Sequence, residues 1–473
     1  MTRDARLAGN VVSLALAQGA TLVFGFVLWV HLGRALGAEK LGMLAFGMAL
    51  VSYFVLTVAL GFDAVGVREV SRDAGRERQI VPHLMGLRLS LAAGASAAFV
   101  GTTIALDLEP AYQAAVIVLT GLVVARAIQF DWIYQAREQM GIVSARNATA
   151  SGVTVAIALL LVREPDDLLM GAVALAVGPL VANLGLLALY TRNAGFPRPQ
   201  FDRNAWKTLL APALPLAASA LVSQFYYNAD KLMLEAFRAT AEVGLYEAAY
   251  KLYAIAVAPA GVLYTAFYPA LSGAFGNRDA MREEGRRYGG VQFAIGPPLA
   301  LAGAVLAPDL IELLFGAEYL GAATALRILF VYAGLTYVSM TFGVPLMAWN
   351  DEKSYMKSVL GGGVANVVLN VALILPFGLT GAAAATLASE SVVTVGMAVR
   401  YRRLSGTLLP DTLGRGIVVA LGGGLAPALI GDALGLSVLP TLALVGAATA
   451  VTGWLTGLVD PRTLRVALLR RNS

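Results

Sequence analysis

The chain of 473 residues is 58% hydrophobic and only 14% charged, with a mean hydropathy of +0.71, whereas a soluble protein carries about 25% charged residues; it reads as an all-α integral membrane protein. It has no cysteine and only two histidines, His31 and His83, which excludes disulfide frameworks, thiolate nucleophiles and a His/Cys metal cluster, so no cofactor is expected. The isoelectric point near 9.3 is what basic residues beside membrane spans produce, and no nucleic-acid partner is read from it.

Apolar runs of about 20 residues, enough to cross roughly 30 Å of hydrocarbon, follow one another at 8–32, 41–62, 80–105, 112–135, 139–162, 168–190, 208–230, 242–272, 288–307, 320–347, 355–376, 379–399, 415–431 and 437–458. That predicts fourteen spans. The first is too long for a signal-peptide core, with no small-residue cleavage site before the second, and reads as a retained helix. The gaps are short and polar, the longest at 191–207, 273–287 and 400–414, so no soluble domain is inserted. An even count puts both termini on one side, and positive charge tests the count. Of the 35 Lys and Arg, 25 fall at the N-terminus, at the C-terminus or in and beside the gaps after even-numbered spans. Five lie opposite (Arg34, Lys40, Arg163, Lys231, Arg238) and five inside spans (Arg88, Arg126, Arg146, Lys251, Arg327). Both termini are therefore expected in the cytoplasm, with the chain in the inner (plasma) membrane.

An internal repeat is visible, as is common in transporters. LGRALGAEKLGML (32–44), between spans 1 and 2, aligns without gaps on LEAFRATAEVGLY (234–246), between spans 7 and 8. Leu32, Glu39, Gly42 and Met43 then face Leu234, Ala241, Gly244 and Leu245. The spacing predicts a six-helix bundle over 1–190, a second over 208–400, and two added helices with a tail over 413–473. The glycines at 361–363 and 422–424 and the GAAAA run from Gly381 match no P-loop and follow no strand, so they read as close helix packing.

Fourteen spans in a 6+6+2 order, with GRALGAEKLG after the first, FDWIYQAREQM closing the fourth, NADKLMLEAFRATAEVGLYEAAYKL around the seventh and eighth, and PFGLTGAAAATLASE entering the twelfth, resemble the polysaccharide-lipid flippases. These belong to the multidrug/oligosaccharidyl-lipid/polysaccharide exporter superfamily. The resemblance covers nearly the whole chain. It implies two pseudo-symmetric bundles in a V shape around a central cavity lined largely by spans 1, 2, 7 and 8. The substrate it implies is an isoprenoid (undecaprenyl) pyrophosphate-linked oligosaccharide, moved by alternating access.

A pyrophosphate carries about two negative charges and needs cations to enter apolar surroundings. Arg126 and Arg146, with Arg88, sit seven to nine residues from the cytoplasmic ends of their spans, roughly 10 to 14 Å at helical rise; Lys251 and Arg327 lie at similar depth from the outer ends. They form two stations for an outgoing anion, or else snorkel to the interface. Glu247 and Lys251 share a helix face. Either they neutralise each other, or Lys251 binds phosphate when protonation frees it from Glu247, an exchange that would couple transport to a proton or another cation. Asp230 and Lys231 close span 7 at the outer mouth. Glu390, in mid-span 12, is protonated or paired. Tyr246, Tyr250 and Tyr253 form a stripe suited to stacking on sugars or to membrane anchoring. Asp131 and Arg68, at cytoplasmic ends, are gate or topology elements.

No nucleotide site is present, so the drive would come from gradients. An inside-negative potential helps an anion outward by about 2.3 kcal/mol per charge per 100 mV; a proton or sodium counter-ion is the other source, and membrane lipids hold the polyprenyl tail. A multidrug antiporter of the same superfamily would use carboxylates in span 1, which offers Asn10, Ser13, Gln18 and Thr21. A peptidoglycan-precursor flippase would carry a basic–acidic pair there. An enzyme would need catalytic groups on a substantial external loop, and the external gaps hold about a dozen residues at most.

Overall fold

The computed structural model describes residues 3–458, with side-chain surroundings for these except at 3–18, 218–219, 222–223, 225–227 and 410. Asn10, Ser13 and Gln18 of the first span and the basic tail after 458 thus lie outside the described side chains and residues. Among the described residues there is no strand. The helices are α1 (Arg3–Ala59), α2 (Phe62–Arg72), α3 (Glu77–Ala105), α4 (Pro110–Val118), α5 (Thr120–Ala127), α6 (Asp131–Ala136), α7 (Met140–Leu161), α8 (Leu168–Ala194), α9 (Arg203–Phe237), α10 (Thr240–Gly273), α11 (Arg278–Phe315), α12 (Ala323–Ala348), α13 (Glu352–Ser405), α14 (Pro410–Val419), α15 (Ala426–Ala433) and α16 (Val438–Leu455). Eleven helical stretches among them are long and apolar enough to cross a membrane, and the chain is a multi-pass membrane protein.

The two longest helices are broken by glycine. A straight helix of 57 residues would run roughly 85 Å, nearly three times the hydrocarbon thickness. In α1 the turn falls at Gly37 (φ 76°, ψ 170°) and in α13 at Gly378 (φ 57°, ψ −134°), backbone that residues with a Cβ rarely adopt. Both lie in gaps expected between spans. Gly362 against Val393 and Gly396 against Ser358 let the two arms of α13 close on each other; Gly423 packs on Thr449 and Thr452, and Gly424 on Pro298. Gly362, Gly423 and Gly424 are thus helix contacts, whereas Gly361 and Gly363 face open space.

The chain forms two compact units, one of residues 1–235 and 239–244, the other of 236–238 and 245–473. In the first, α7 packs on α8 and α1, and α5 on α3 and α8, around a core that includes Phe62, Leu84, Trp132, Ile133, Tyr134 and Tyr190. The connection after α8 is tied down: the Gln200 amide donates to the Pro82 carbonyl (3.0 Å) and Trp206 Nε1 to the His83 carbonyl (3.2 Å). In the same unit α1 and the first turn of α10 meet backbone to backbone. A Cβ on Gly42 would stand 2.1 Å from the Thr240 carbonyl oxygen, and one on Gly244 1.8 Å from that of Ala38. Since the repeat aligns Ala38 with Thr240 and Gly42 with Gly244, the contact is reciprocal.

In the second unit α12 packs between α11 and α13, with Tyr288, Trp349 and Tyr401 filling the core. Leu159, Leu160 and Leu161 of α7 and Val364, Val368 and Leu375 of α13 are exposed, surface that lipid accepts as readily as a protein core does.

Candidate functional site: a cationic cavity in the first unit

The expected fourth span, 112–135, is not one helix but three, α4 to α6. Between α5 and α6 the chain leaves helical geometry, with Ile128 at φ −99°, ψ 19° and Phe130 at φ −110°, ψ 11°. The Ile133 amide bonds the Phe130 carbonyl (3.1 Å), which leaves the Gln129 carbonyl to accept from Arg88 Nη1 at 3.0 Å. Irregular backbone at membrane depth survives only where protein buries it or it lines a cavity; here it does both.

Around this break the structure gathers three arginines and two aspartates. Asp63, in the first turn of α2, accepts from Arg88 Nη2 on Oδ1 at 2.6 Å and from Arg126 Nη2 on Oδ2. The Gln129 side chain joins the rest, accepting from Arg126 Nη1 on Oε1 and donating from Nε2 to Asp131 Oδ2. Arg146 Nη1 stands 3.6 Å from that same carboxylate oxygen. Arg146 is further held by Asn183 Oδ1 (2.7 Å) and Asn147 Oδ1 (2.8 Å), and Asn183 Nδ2 donates to the Ala125 carbonyl (2.6 Å). One positive charge is in excess over this set. It borders a cavity of about 460 Å³. Arg126, Gln129, Arg146, Asn183 and Gln224 supply the cavity's polar wall, and Val51, Val55 and Leu56 of α1 with Leu122 of α5 its apolar one.

Arg126, Arg146 and Asp131 thus come together, and Arg88, for which snorkelling was one alternative, is only 2% exposed and ion-paired. The other expected residues lie elsewhere. Arg68 is exposed, with Nε 3.4 Å from Glu69, and Asp230 and Lys231 are buried in α9. In the second unit Lys251 Nζ meets Glu247 at 2.7 Å, the lysine side chain 24% exposed and the glutamate 2%. Tyr250 is half-buried between Tyr246 and Tyr253, and Tyr253 stacks on Tyr332 at 4.6 Å. Arg327 is exposed on α12, and Glu390 is buried. Among the described residues no group of three metal-ligating side chains occurs.

Sequence reading missed Asp63, Gln129 and Asn183. Asp63 lies in a stretch that reads as a cytoplasmic end, its partners 25 and 63 residues away. Asn183 did carry a signal, a lone amide in an otherwise apolar run.

The model of the polysaccharide biosynthesis proteins matches residues 7–275, more than half of the chain. The chain belongs to this family. A protein of Escherichia coli (strain K12) described as "Putative O-antigen transporter" is 21% identical over 401 residues, 83% of this chain and 96% of that one. "Probable low-salt glycan biosynthesis flippase Agl15" of Haloferax volcanii is 28% identical over 183 residues, 37% of this chain and 38% of its own length. Among solved structures, the lipid II flippase MurJ in an inward closed conformation superposes with a TM-score of 0.71 at 10% identity, over 96% of this chain and 99% of that one. An inward-facing multidrug resistance MATE family transporter of the MOP superfamily does so with 0.66 at 15% identity, over 84% and 98%. The fold is theirs.

Proposed function

We propose that the protein is a flippase that moves a polyprenyl-diphosphate-linked oligosaccharide, of the undecaprenyl class, from the cytoplasmic to the outer leaflet of the plasma membrane by alternating access. Family membership and the descriptions of the two relatives support a carrier of lipid-linked glycans. The observation that carries the reading is the pairing of Arg126 and Arg146 on the wall of one cavity. Two guanidinium forks suit the oxygens of a diphosphate, and Gln129, Asn183 and Gln224 offer neutral donors and acceptors beside them. The cavity lies within the size range of small-molecule sites, room for the headgroup and its first sugar, while the tail stays in lipid. A cationic wall disfavours the multidrug antiporter alternative, whose cationic substrates it would repel.

Tyr250, Lys251 and Arg327 are further substrate contacts in this proposal, Asp131 and Arg68 gate elements. Glu247 and Asp230 would carry a proton or sodium counter-ion, in addition to the membrane potential. Fourteen spans follow if α1 and α13 each cross twice about Gly37 and Gly378 and α9 crosses once; that even count puts both termini on one side, and the positive-charge bias makes that side the cytoplasm. The test is a purified reconstitution in which an undecaprenyl-diphosphate-linked sugar crosses vesicles. Wild-type protein should move it and Arg126→Ala and Arg146→Ala should not. Undiminished crossing in both variants overturns the site, and efflux of cationic drugs in place of the lipid overturns the function.

A further inference from the structure

A carrier of diphosphate has to reset empty, and a guanidinium in a low-dielectric cavity needs an anion at that moment as much as when loaded. We propose that Asp63 is the resident counter-anion of the cavity: it holds Arg126 while the site is empty, yields it to the diphosphate, and reclaims it to drive release. This rests on reading the cavity as a diphosphate site, and it adds the residue that sets how tightly the headgroup is held.

The division of labour on the Asp63 carboxylate supports the exchange. Its two oxygens serve two different arginines, Oδ1 taking Arg88 and Oδ2 taking Arg126. Arg88 is a fixed partner. It is 2% exposed and absent from the cavity wall, with Nη1 on the Gln129 carbonyl and its guanidinium carbon 6.0 Å from the centre of the Phe62 ring. Arg126 is the accessible partner: it is 19% exposed, lines the cavity, and among the described residues is otherwise held by the neutral Gln129 side chain. When Arg126 turns to a substrate, Asp63 keeps Arg88, so no buried carboxylate is stranded. Asp63 lies, like Arg88, outside the cavity wall, but its side chain keeps 31% exposure, so water can reach the carboxylate when Arg126 leaves. Carboxylate and phosphate compete for one fork because both present paired oxygens to parallel N–H groups. Arg146 differs, for two amides fix it and Asp131 stands back at 3.6 Å. It serves as a standing contact, whereas Arg126 is the one that exchanges.

The experiment titrates inorganic pyrophosphate into detergent-purified full-length protein and measures flipping in the reconstitution above. Removing the competing charge with Asp63→Asn should tighten pyrophosphate binding by roughly tenfold, the effect of one charge-assisted hydrogen bond. Flipping should then slow at saturating lipid, so that KM and kcat fall together. Asp63→Glu should restore both values toward wild type and Arg126→Gln should weaken binding; a purely structural role would not make Asp63→Asn bind pyrophosphate more tightly. Unchanged pyrophosphate affinity in Asp63→Asn, with Arg126→Gln still weakened, overturns the exchange and leaves the diphosphate site standing. Equal affinity in wild type, Arg126→Gln and Arg146→Gln overturns both. If Asp63→Asn does not purify folded, the infrared difference spectrum of the wild type with and without pyrophosphate decides: a shifted aspartate carboxylate band supports the exchange, and an unshifted one overturns it.

Discussion

In the second unit Glu247 and Lys251 come from adjacent turns of α10 and close on each other at 2.7 Å. In the first unit the charges gathered around Gln129 come from five helices, with arginines on α3, α5 and α7 reaching aspartates on α2 and α6. An i,i+4 pair needs no fold to form; any helix brings its members together and cancels them. A cluster assembled across helices can be left one anion short, and that shortfall makes it a place for an incoming anion. The Gln129 break shows what such a cluster requires, since a continuous helix would have used that carbonyl internally.

If the first-unit cluster depends on long-range pairing, losing one partner there should cost more than losing one in α10. The largest effect is expected for Asp63→Ala. It strands Arg88 at 2% exposure and should lower stability by about 3–5 kcal/mol, read as a fall in Tm in detergent, with Arg88→Met in the same chain recovering part of it. A loss no larger than that of Glu247→Ala would erase the distinction. Next come Gly42→Val and Gly244→Val, each driving a side chain into a carbonyl about 2 Å away. These should destabilise by about 1–3 kcal/mol or more with similar Tm losses, and unequal losses would argue against a reciprocal contact. Arg126→Gln should cut flipping by roughly 10- to 100-fold through one lost charge-assisted bond while leaving Tm nearly unchanged, because Asp63 keeps Arg88.

The local pair makes the converse prediction. Glu247→Gln with Lys251→Met should change stability by less than about 1 kcal/mol, since replacing both partners of a buried pair is often neutral; either change alone should cost more.

The smallest effect is expected at Asp351, just before α13. Burial pushes its carboxyl up, but hydrogen bonds from the Arg400 guanidinium and the Ser354 hydroxyl outweigh this and hold it below the usual carboxylate value. A carboxyl lowered on folding stabilises fully above its unfolded value near 3.9, and that contribution is lost as pH falls through the lower folded value. Tm should therefore fall slightly more steeply in acid for wild type than for Arg400→Gln; parallel curves would mean the ion pair contributes nothing.

The sequence by itself determined what contiguous residues encode. Runs of apolar side chains long enough for hydrocarbon placed the helices, and Gly37 and Gly378 break α1 and α13 in the gaps between expected spans. The 32–44 and 234–246 repeat foreshadowed the Gly42–Gly244 contact, and the spacing of Glu247 and Lys251 foreshadowed their pair. Only the tertiary structure decided that Arg88 is paired rather than snorkelling, that Asp63 divides its oxygens between two arginines, and that span 4 opens at Gln129. Those outcomes depend on which helices pack together, and no pattern along the chain brings Asp63 within reach of Arg126. The charges inside the spans were legible as a list; that three of them gather with two aspartates around Gln129, and that Arg126 and Arg146 then share one cavity wall, is a property of the fold.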